Sequence, residues 1–157
     1  MSGYLRMRRD LSAPIPPVPF PIGILLVPYT KDIARLSRTM MQRAYPGGLG
    51  DNGISFEGFW NWLTNDPEFD PDVMFVAMAE GAVVGLCHCW SAAFVKDLAV
   101  DPDFQGRGLG AALLTTALDA FRTRGAPYVD LKTGADNIKA QSLYQRVGFV
   151  VIEHIPS

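Results

Sequence analysis

Three glycines lie close together where a strand-like segment gives way to a helix-like one. Residues 105–110 read Gln-Gly-Arg-Gly-Leu-Gly and follow an apolar run and a break at Asp101-Pro102. A helix that begins at such glycines leaves main-chain N–H groups without partners, and its dipole adds positive potential there. Phosphate groups bind at helix N-termini of this kind. The spacing therefore predicts a site for a phosphorylated ligand.

Hydrophobic periodicity and chain breakers predict the elements around this site. Apolar residues at helical spacing indicate helices after Thr30, after Ser55, from Leu109 and from Ile138. Apolar runs indicate strands at 22–27, 73–79, 82–90, 94–100, 128–132 and 149–155. The order β-α-α-β-β-β-α-β-α-β has an antiparallel first part and a β-α-β crossover in the second. We therefore predict an α/β protein with a mixed sheet and helices on both of its faces.

The bulk composition sets the class of protein. The 157 residues fit one folded domain, with 48% hydrophobic and 19% charged residues. Residues 14–21 contain five prolines, so we assign 1–21 to an extended proline-rich arm and 22–157 to a single domain. The net charge of −2 argues against a nucleic-acid partner. The early apolar run is too short for a membrane span, and we expect a cytoplasmic protein.

The sequence Cys87-His88-Cys89 holds both cysteines of the chain. Two cysteines exclude a disulfide framework and are typical of a reducing compartment. On a strand they share one face, and His88 points to the other. A closed zinc site requires four ligands, so we expect no metal.

Two kinds of phosphorylated ligand compete for the glycine segment. Gly106, Gly108 and Ala111 fit the G-x-G-x-x-A fingerprint of dinucleotide-binding folds, and Asp130 follows at about the expected ~20 residues. That fingerprint belongs in the first βα unit of a doubly wound sheet. Here it begins after residue 100, which leaves no room for the rest of such a sheet.

The second interpretation rests on a resemblance. Residues 98–110 resemble the Q/R-x-x-G-x-G/A motif of the GNAT acyltransferase superfamily, with matches at Gln105, Gly108 and Gly110. Asn137, Ala140 and residues 142–149 resemble its second signature, N-x-x-A followed by LY-x-x-x-GF. The predicted order of elements also matches, so the resemblance covers roughly residues 22–155.

This resemblance implies the acyl-CoA N-acyltransferase fold, a mostly antiparallel sheet whose parallel central strands splay apart. Acetyl-CoA would bind between strands 94–100 and 128–132, with its pantetheine arm on the main chain near Leu98 and Val100. Its pyrophosphate would lie on the N–H groups of 105–111. The implied set of cofactor-binding residues is Leu98, Ala99, Val100, Gln105, Gly106, Arg107, Gly108, Leu109, Gly110, Ala111, Asn137 and Tyr144. From the residues alone, Arg107 is equally a solvated arginine and Asn137 a helix cap.

The resemblance also implies a reaction, the transfer of an acetyl group to a primary amine of a small molecule or peptide by direct attack on the thioester. It makes Tyr144 the general acid. A phenol with a pKa of ~10 can pass its proton readily to a departing thiolate whose thiol has a pKa of ~8.5. By sequence alone Tyr144 is a tyrosine on an apolar helix face. No general base stands out, because the usual positions hold Phe94, Lys96 and Lys132. His88, Glu57 and a chain of water molecules remain as candidates for the general base.

The acceptor side is less well defined. Lys96 and Lys132 lie on adjacent strands and suggest an acceptor with a carboxylate or phosphate. The alternative, which the residues alone favour, is that both lysines are solvated or ion-paired. We expect Asp97 on the face opposite Lys96, and Asp130 within reach of Lys132. Trp60 and other aromatic residues between 45 and 62 would form the acceptor wall, and residues 47–53 a lid. A non-catalytic acyl-CoA sensor of the same fold is the alternative, and a homodimer is compatible with the sequence.

Overall fold

The computed structural model describes residues 2–45 and 53–157. Within these ranges the chain forms seven strands and four α-helices. They are β1 (Tyr4–Asp10), β2 (Leu25–Val27), α1 (Lys31–Ala44), α2 (Phe56–Thr64), β3 (Met74–Ala79), β4 (Ala82–Trp90), β5 (Phe94–Val100), α3 (Leu109–Thr123), β6 (Tyr128–Gly134), α4 (Ile138–Val147) and β7 (Val150–Ile155).

The strands form one sheet in the order β2-β3-β4-β5-β6-β1-β7. Every neighbouring pair is antiparallel except β5 and β6. Each face of the sheet packs against helices through an apolar cluster. One cluster includes side chains of α3 and α4, and the other includes side chains of α1 and α2. The predicted mixed sheet with helices on both faces is thus confirmed, including the parallel central pair.

The first strand corrects the predicted arm. β1 lies between β6 and β7 and pairs with both, and Met7 at its centre is fully buried. Proline enrichment begins only at residue 14 and carries no information about residues 4–10. Assigning all of 1–21 to an arm outside the sheet was therefore wrong. The predicted strand 22–27 also shortens to β2, because Gly23 has a φ of +87° and Ile22 is fully exposed.

Local signals set most of the other boundaries. Thr30 and Ser55 accept hydrogen bonds from the main chain at the starts of α1 and α2, as their side chains predict. Glu80 and Gly81 both have positive φ and close the β3–β4 hairpin. Within α1, Leu36 is 44% exposed, while Ala34 and Ser37 are buried. The predicted lid at 47–53 lies outside the described residues except for Gly53.

Candidate functional site

Strands β5 and β6 lie side by side only at their beginnings. Their pairing is limited to Phe94 with Asp130 and Val95 with Leu131, although both strands continue for several residues. Beyond Val95 their main chains no longer pair with each other. The two strands therefore open into a cleft at the centre of the sheet.

A β-bulge in β5 coincides with the start of this cleft. His88 of β4 pairs with Asp97 and Cys89 pairs with Val95, so Lys96 is an extra residue without a partner. A bulge bends a strand and interrupts the alternation of its side chains. Lys96 and Asp97 consequently face the same side, where Lys96 Nζ lies 3.1 Å from Asp97 Oδ2. The expectation that they point to opposite faces was wrong for this reason.

Beyond the bulge, alternate residues of β5 present their main chain to the cleft. The carbonyl of Leu98 accepts a hydrogen bond from the Tyr45 hydroxyl at 2.9 Å, and that of Val100 accepts one from the Gln105 amide at 3.1 Å. Ala99 pairs with Leu86 of β4, and its side chain is buried on the α1–α2 side. Leu98 and Val100 thus present their carbonyls to the cleft, whereas the main chain of Ala99 is directed towards β4.

The glycine segment forms the turn that starts α3. Gly106 and Gly108 have φ values of +78° and +84°, and Gly108 caps the helix without a side-chain hydrogen bond. The first N–H groups of an α-helix have no partner within it. Gly110 packs closely, since a Cβ there would lie 3.4 Å from Leu143 of α4. The segment thus exposes N–H donors at the positive end of a 15-residue helix.

Ion pairs and apolar packing fix this turn to the rest of the fold. Asp101 is buried and accepts from Arg43 of α1 at 2.7 Å, and Leu109 is 1% exposed. Arg107 is exposed and stacks over the Phe104 ring. Asn137 caps α4 by accepting from the Ala140 N–H at 3.1 Å. Its helix-capping role is therefore seen directly.

Tyr144 of α4 interacts electrostatically with Tyr45, whose hydroxyl bonds to the Leu98 carbonyl at the cleft. Burial raises the pKa of the Tyr144 phenol, and Tyr45, Cys87 and Asp97 raise it further. The hydroxyl therefore stays protonated at neutral pH and can donate. The Tyr144 ring packs against Phe149 at a centroid distance of 5.9 Å, which fixes its orientation.

A cavity of about 360 Å³ lies on the other face of the sheet, beneath α1 and α2. Most of its lining is apolar, with Phe59, Trp62 and Leu86 among the walls. Trp62 also lies over the Lys96 ammonium at 5.6 Å. Trp60, the tryptophan that we predicted at this site, stacks instead on Tyr29 and does not line the cavity.

Two polar side chains of this cavity are missing from the predicted substrate residues. Ser37 of α1 and His88 of β4 are buried, and Ser37 Oγ and His88 Nε2 have no hydrogen-bond partner among the described residues. Burial, together with Lys96, lowers the pKa of His88 to about 4. Ser37 is four residues from both Ile33 and Met41, so it is a polar residue within an apolar stripe of the helix. That pattern is the sequence signal by which Ser37 could have been predicted to line the cavity.

Asp130 and Lys132 of β6 do not pair with each other as the sequence suggested. Asp130 is buried and accepts hydrogen bonds from Arg6 at 2.8 Å and Arg8 at 2.7 Å, both from β1. Burial acts to raise the pKa of Asp130, but these hydrogen bonds lower it overall. Lys132 is exposed and does not line the cavity. Asp130 therefore anchors β1 and is not Lys132's partner.

Cys87 and Cys89 are fully buried on the face opposite His88, as the alternation predicted. Within residues 2–45 and 53–157, no group of three or more His, Cys, Asp or Glu side chains is arranged to hold a metal ion. Among the helices of the same ranges, none combines the length and apolarity needed to cross a membrane.

The chain is similar to known acetyltransferases. A family model described as the acetyltransferase (GNAT) family matches residues 38–149. Mycothiol acetyltransferase from Clavibacter michiganensis is 36% identical over 83% of this chain and 44% of its own length. The enzyme of the same name from Acidothermus cellulolyticus is 32% identical over 92% of this chain and 50% of its own. The chain thus spans about half the length of these relatives.

Solved structures share the fold. A GCN5-related N-acetyltransferase from Sphaerobacter thermophilus matches 98% of this chain and 49% of its own, with a TM-score of 0.80 and 24% identity. An aminoglycoside N-acetyltransferase in complex with CoA matches 89% of this chain and 96% of its own, with a TM-score of 0.70 and 18% identity. Because the family model covers well over half of the sequence, the chain belongs to the GNAT acetyltransferase family.

Proposed function

We propose that this protein is an N-acetyltransferase that moves an acetyl group from acetyl-CoA to a primary amine. The observation that carries the proposal is the cleft that opens after Val95, with the uncapped start of α3 beside it. These features offer main-chain groups for an extended pantetheine arm and N–H donors for a pyrophosphate. Family membership supports the same activity.

The residues around the cleft fit such a ligand. Leu98 and Val100 would pair with the pantetheine arm, and the N–H groups of 106–111 would hold the phosphates. In the structure the two carbonyls bond to side chains of Tyr45 and Gln105, which would exchange these bonds for those of the ligand. Arg107 adds a positive charge beside the phosphates.

Acetyl-CoA supplies an activated acetyl group and a thiol leaving group. Tyr144 would donate the proton that the departing sulfur needs, since burial keeps its phenol protonated. An N–H of the β5 edge would stabilise the negative charge on the thioester oxygen. The acceptor would approach from the cavity beneath α1 and α2, where Lys96 and Asp97 reach the start of the cleft.

The acceptor is a small molecule or peptide whose amine is carried on an apolar body. The cavity walls are mainly apolar, and the charge of Lys96 is opposed by Asp97 at 3.1 Å. Lys132 does not line the cavity. These contacts favour an apolar body over the acidic acceptor that two lysines alone would suggest.

The test is a screen of primary amines with acetyl-CoA, in which thiol release is followed together with the mass of the acetylated product. Arylalkylamines, apolar amino acids, short peptides and acidic amino acids form the panel. Product formation above the hydrolysis rate without amine supports the proposal. Tight acetyl-CoA binding without product on the whole panel would support the non-catalytic sensor instead.

A further inference from the structure

One ring nitrogen of His88 is buried without a hydrogen-bond partner among the described residues. The residue is 7% exposed, and the nitrogen is Nε2. A buried polar atom without a partner destabilises the fold, and a ligand that bonds to it removes that penalty. Ser37 Oγ is in the same situation and lines the same cavity. Both atoms are therefore available to a ligand in that cavity.

The other ring nitrogen of His88 has a neighbour. Its Nδ1 lies 4.0 Å from Asp97 Oδ2. A carboxylate on that side attracts the ring proton to Nδ1 and leaves a lone pair on Nε2. Nε2 is thus an acceptor, and the group that it meets must be a donor.

Charged groups from several elements surround this imidazole. Lys96 of β5 lowers its pKa, whereas Asp97 and Asp66, which follows α2, raise it. Arg38 of α1 lines the same cavity. Burial dominates, so the ring is neutral at pH 7 and keeps its lone pair.

The position of His88 links the cavity to the cleft. Its partner across β4 and β5 is Asp97, next to the bulge at Lys96. The following residue, Leu98, is the first beyond the bulge whose carbonyl faces the cleft. The imidazole therefore lies where the cavity approaches the opening between the strands.

The geometry points to His88 Nε2 as the atom that holds the acceptor nitrogen and takes up its proton during acetyl transfer, a role that rests on the proposed function. The acceptor nitrogen bonds to the acetyl carbon as the carbon–sulfur bond breaks. One proton leaves nitrogen for Nε2, and the sulfur receives another from Tyr144. Asp97 stabilises the imidazolium. After product release the imidazolium returns its proton to water, and the Tyr144 phenolate takes a proton up from water.

This role also defines the acceptor. It is a primary amine on a compact apolar or aromatic body, bound as the neutral amine, since a neutral imidazole in an apolar cavity offers a lone pair and little solvation for a cation. Ser37 Oγ gives a second polar contact. Lys96 and Asp97 neutralise each other at the cavity edge.

The decisive variant is His88→Gln in the full chain, because glutamine can accept a hydrogen bond but cannot take up a proton. We expect kcat at pH 7 to fall about 100-fold, within the usual range for general acid–base groups. The Kd for acetyl-CoA should stay unchanged, and the loss in kcat should shrink at higher pH, where solvent removes the proton. His154→Gln, at the only other histidine, is the matched control and should keep full activity.

A kcat within about threefold of the unchanged chain, with intact acetyl-CoA binding, would overturn this role for His88. If the unchanged protein acetylates no amine, the proposed function fails together with the catalytic role, and ¹⁵N NMR of the ring still tests whether Nε2 of His88 holds an amine. A bare Nε2 at pH 7 whose resonance shifts on titration with 2-phenylethylamine supports it. A protonated Nε2, or no shift at saturating amine, refutes it.

Discussion

The two faces of the sheet are built for recognition in different ways. On the face of α3 and α4, the groups that would hold a cofactor are mainly main-chain atoms of residues 98–111. On the face of α1 and α2, the cavity combines side chains from distant segments, with Ser37, His88 and Asp97 from three different elements. Main-chain recognition needs a contiguous turn, whereas side-chain recognition needs tertiary assembly.

The two faces also differ in electrostatics. The α3 face offers N–H groups of a helix start, whose partial charge does not titrate. The α1 face holds a buried imidazole with a strongly lowered pKa beside an ion pair. We name the side of α3 and α4 the proposed cofactor face, and the side of α1 and α2 with its cavity the proposed acceptor face. The first should be insensitive to mild acid and the second sensitive to it. Four experiments test whether the two faces act separately.

The largest expected effect is on kcat in Tyr144→Phe, which removes the proposed acid of the cofactor face. We expect kcat to fall by about 100-fold or more, because the sulfur loses its proton donor. The Kd for acetyl-CoA, measured by calorimetry, should change little, since the ring that packs on Phe149 is kept. Tyr4→Phe, at an exposed tyrosine of β1, is the control. A loss below threefold would show that the sulfur leaves without Tyr144.

The second effect concerns the stability of the acceptor face in acid. His88 takes up a proton near pH 6.5 in the unfolded chain but at about 4 in the folded one, so the unfolded state binds more protons between these values. The contribution of His88 to the free energy of unfolding should fall by about 3 kcal/mol as the pH drops from 6.5 to 4, and it should stay constant above 6.5.

Urea unfolding at pH 7 and pH 4 measures this difference. His88→Gln should lose less stability than the unchanged chain over that interval, and His154→Gln should lose the full amount. Equal losses in all three proteins would mean that His88 titrates alike in both states, contrary to its burial.

A third experiment tests the cofactor face with two matched glycines at the two ends of α3. Gly108 and Gly125 have φ values of +84° and +85°, and neither has a heavy atom within 4 Å of an added Cβ. Gly108→Val and Gly125→Val should therefore lose similar stability. Only Gly108→Val should weaken CoA binding, by about 10- to 100-fold, since strain of 1–3 kcal/mol distorts the phosphate turn. Equal CoA affinities would place the phosphates elsewhere.

The smallest expected effect is that of Trp62→Ala on the acceptor wall. Trp62 lines the cavity and covers Lys96, so its loss should raise the KM for the acceptor by about tenfold. The Kd for acetyl-CoA serves as the internal control and should not change. A rise in both values would mean that the two faces are not independent.

The predictions from sequence succeeded where a signal was local. The bounds of β4, β5 and α4 agree with the apolar runs and caps that predicted them. β1 was missed because its side chains alternate weakly and include three arginines. Two of them, Arg6 and Arg8, bond to Asp130 of β6, more than a hundred residues away. Lys96 and Asp97 were placed on opposite faces because a bulge is not visible in a strand's alternation.

The sequence by itself determined the turn that starts α3, since a strand, glycines of positive φ and a helix start are consecutive and need only local backbone preferences. Only the tertiary structure decided the cavity beneath α1 and α2. There Ser37 and His88 line one cavity, and a bulge places Lys96 and Asp97 on the same side of β5. Asp130 accepts hydrogen bonds from Arg6 and Arg8 of β1. Burial and long-range pairing decide such contacts, and neither is encoded by the spacing of residues along the chain.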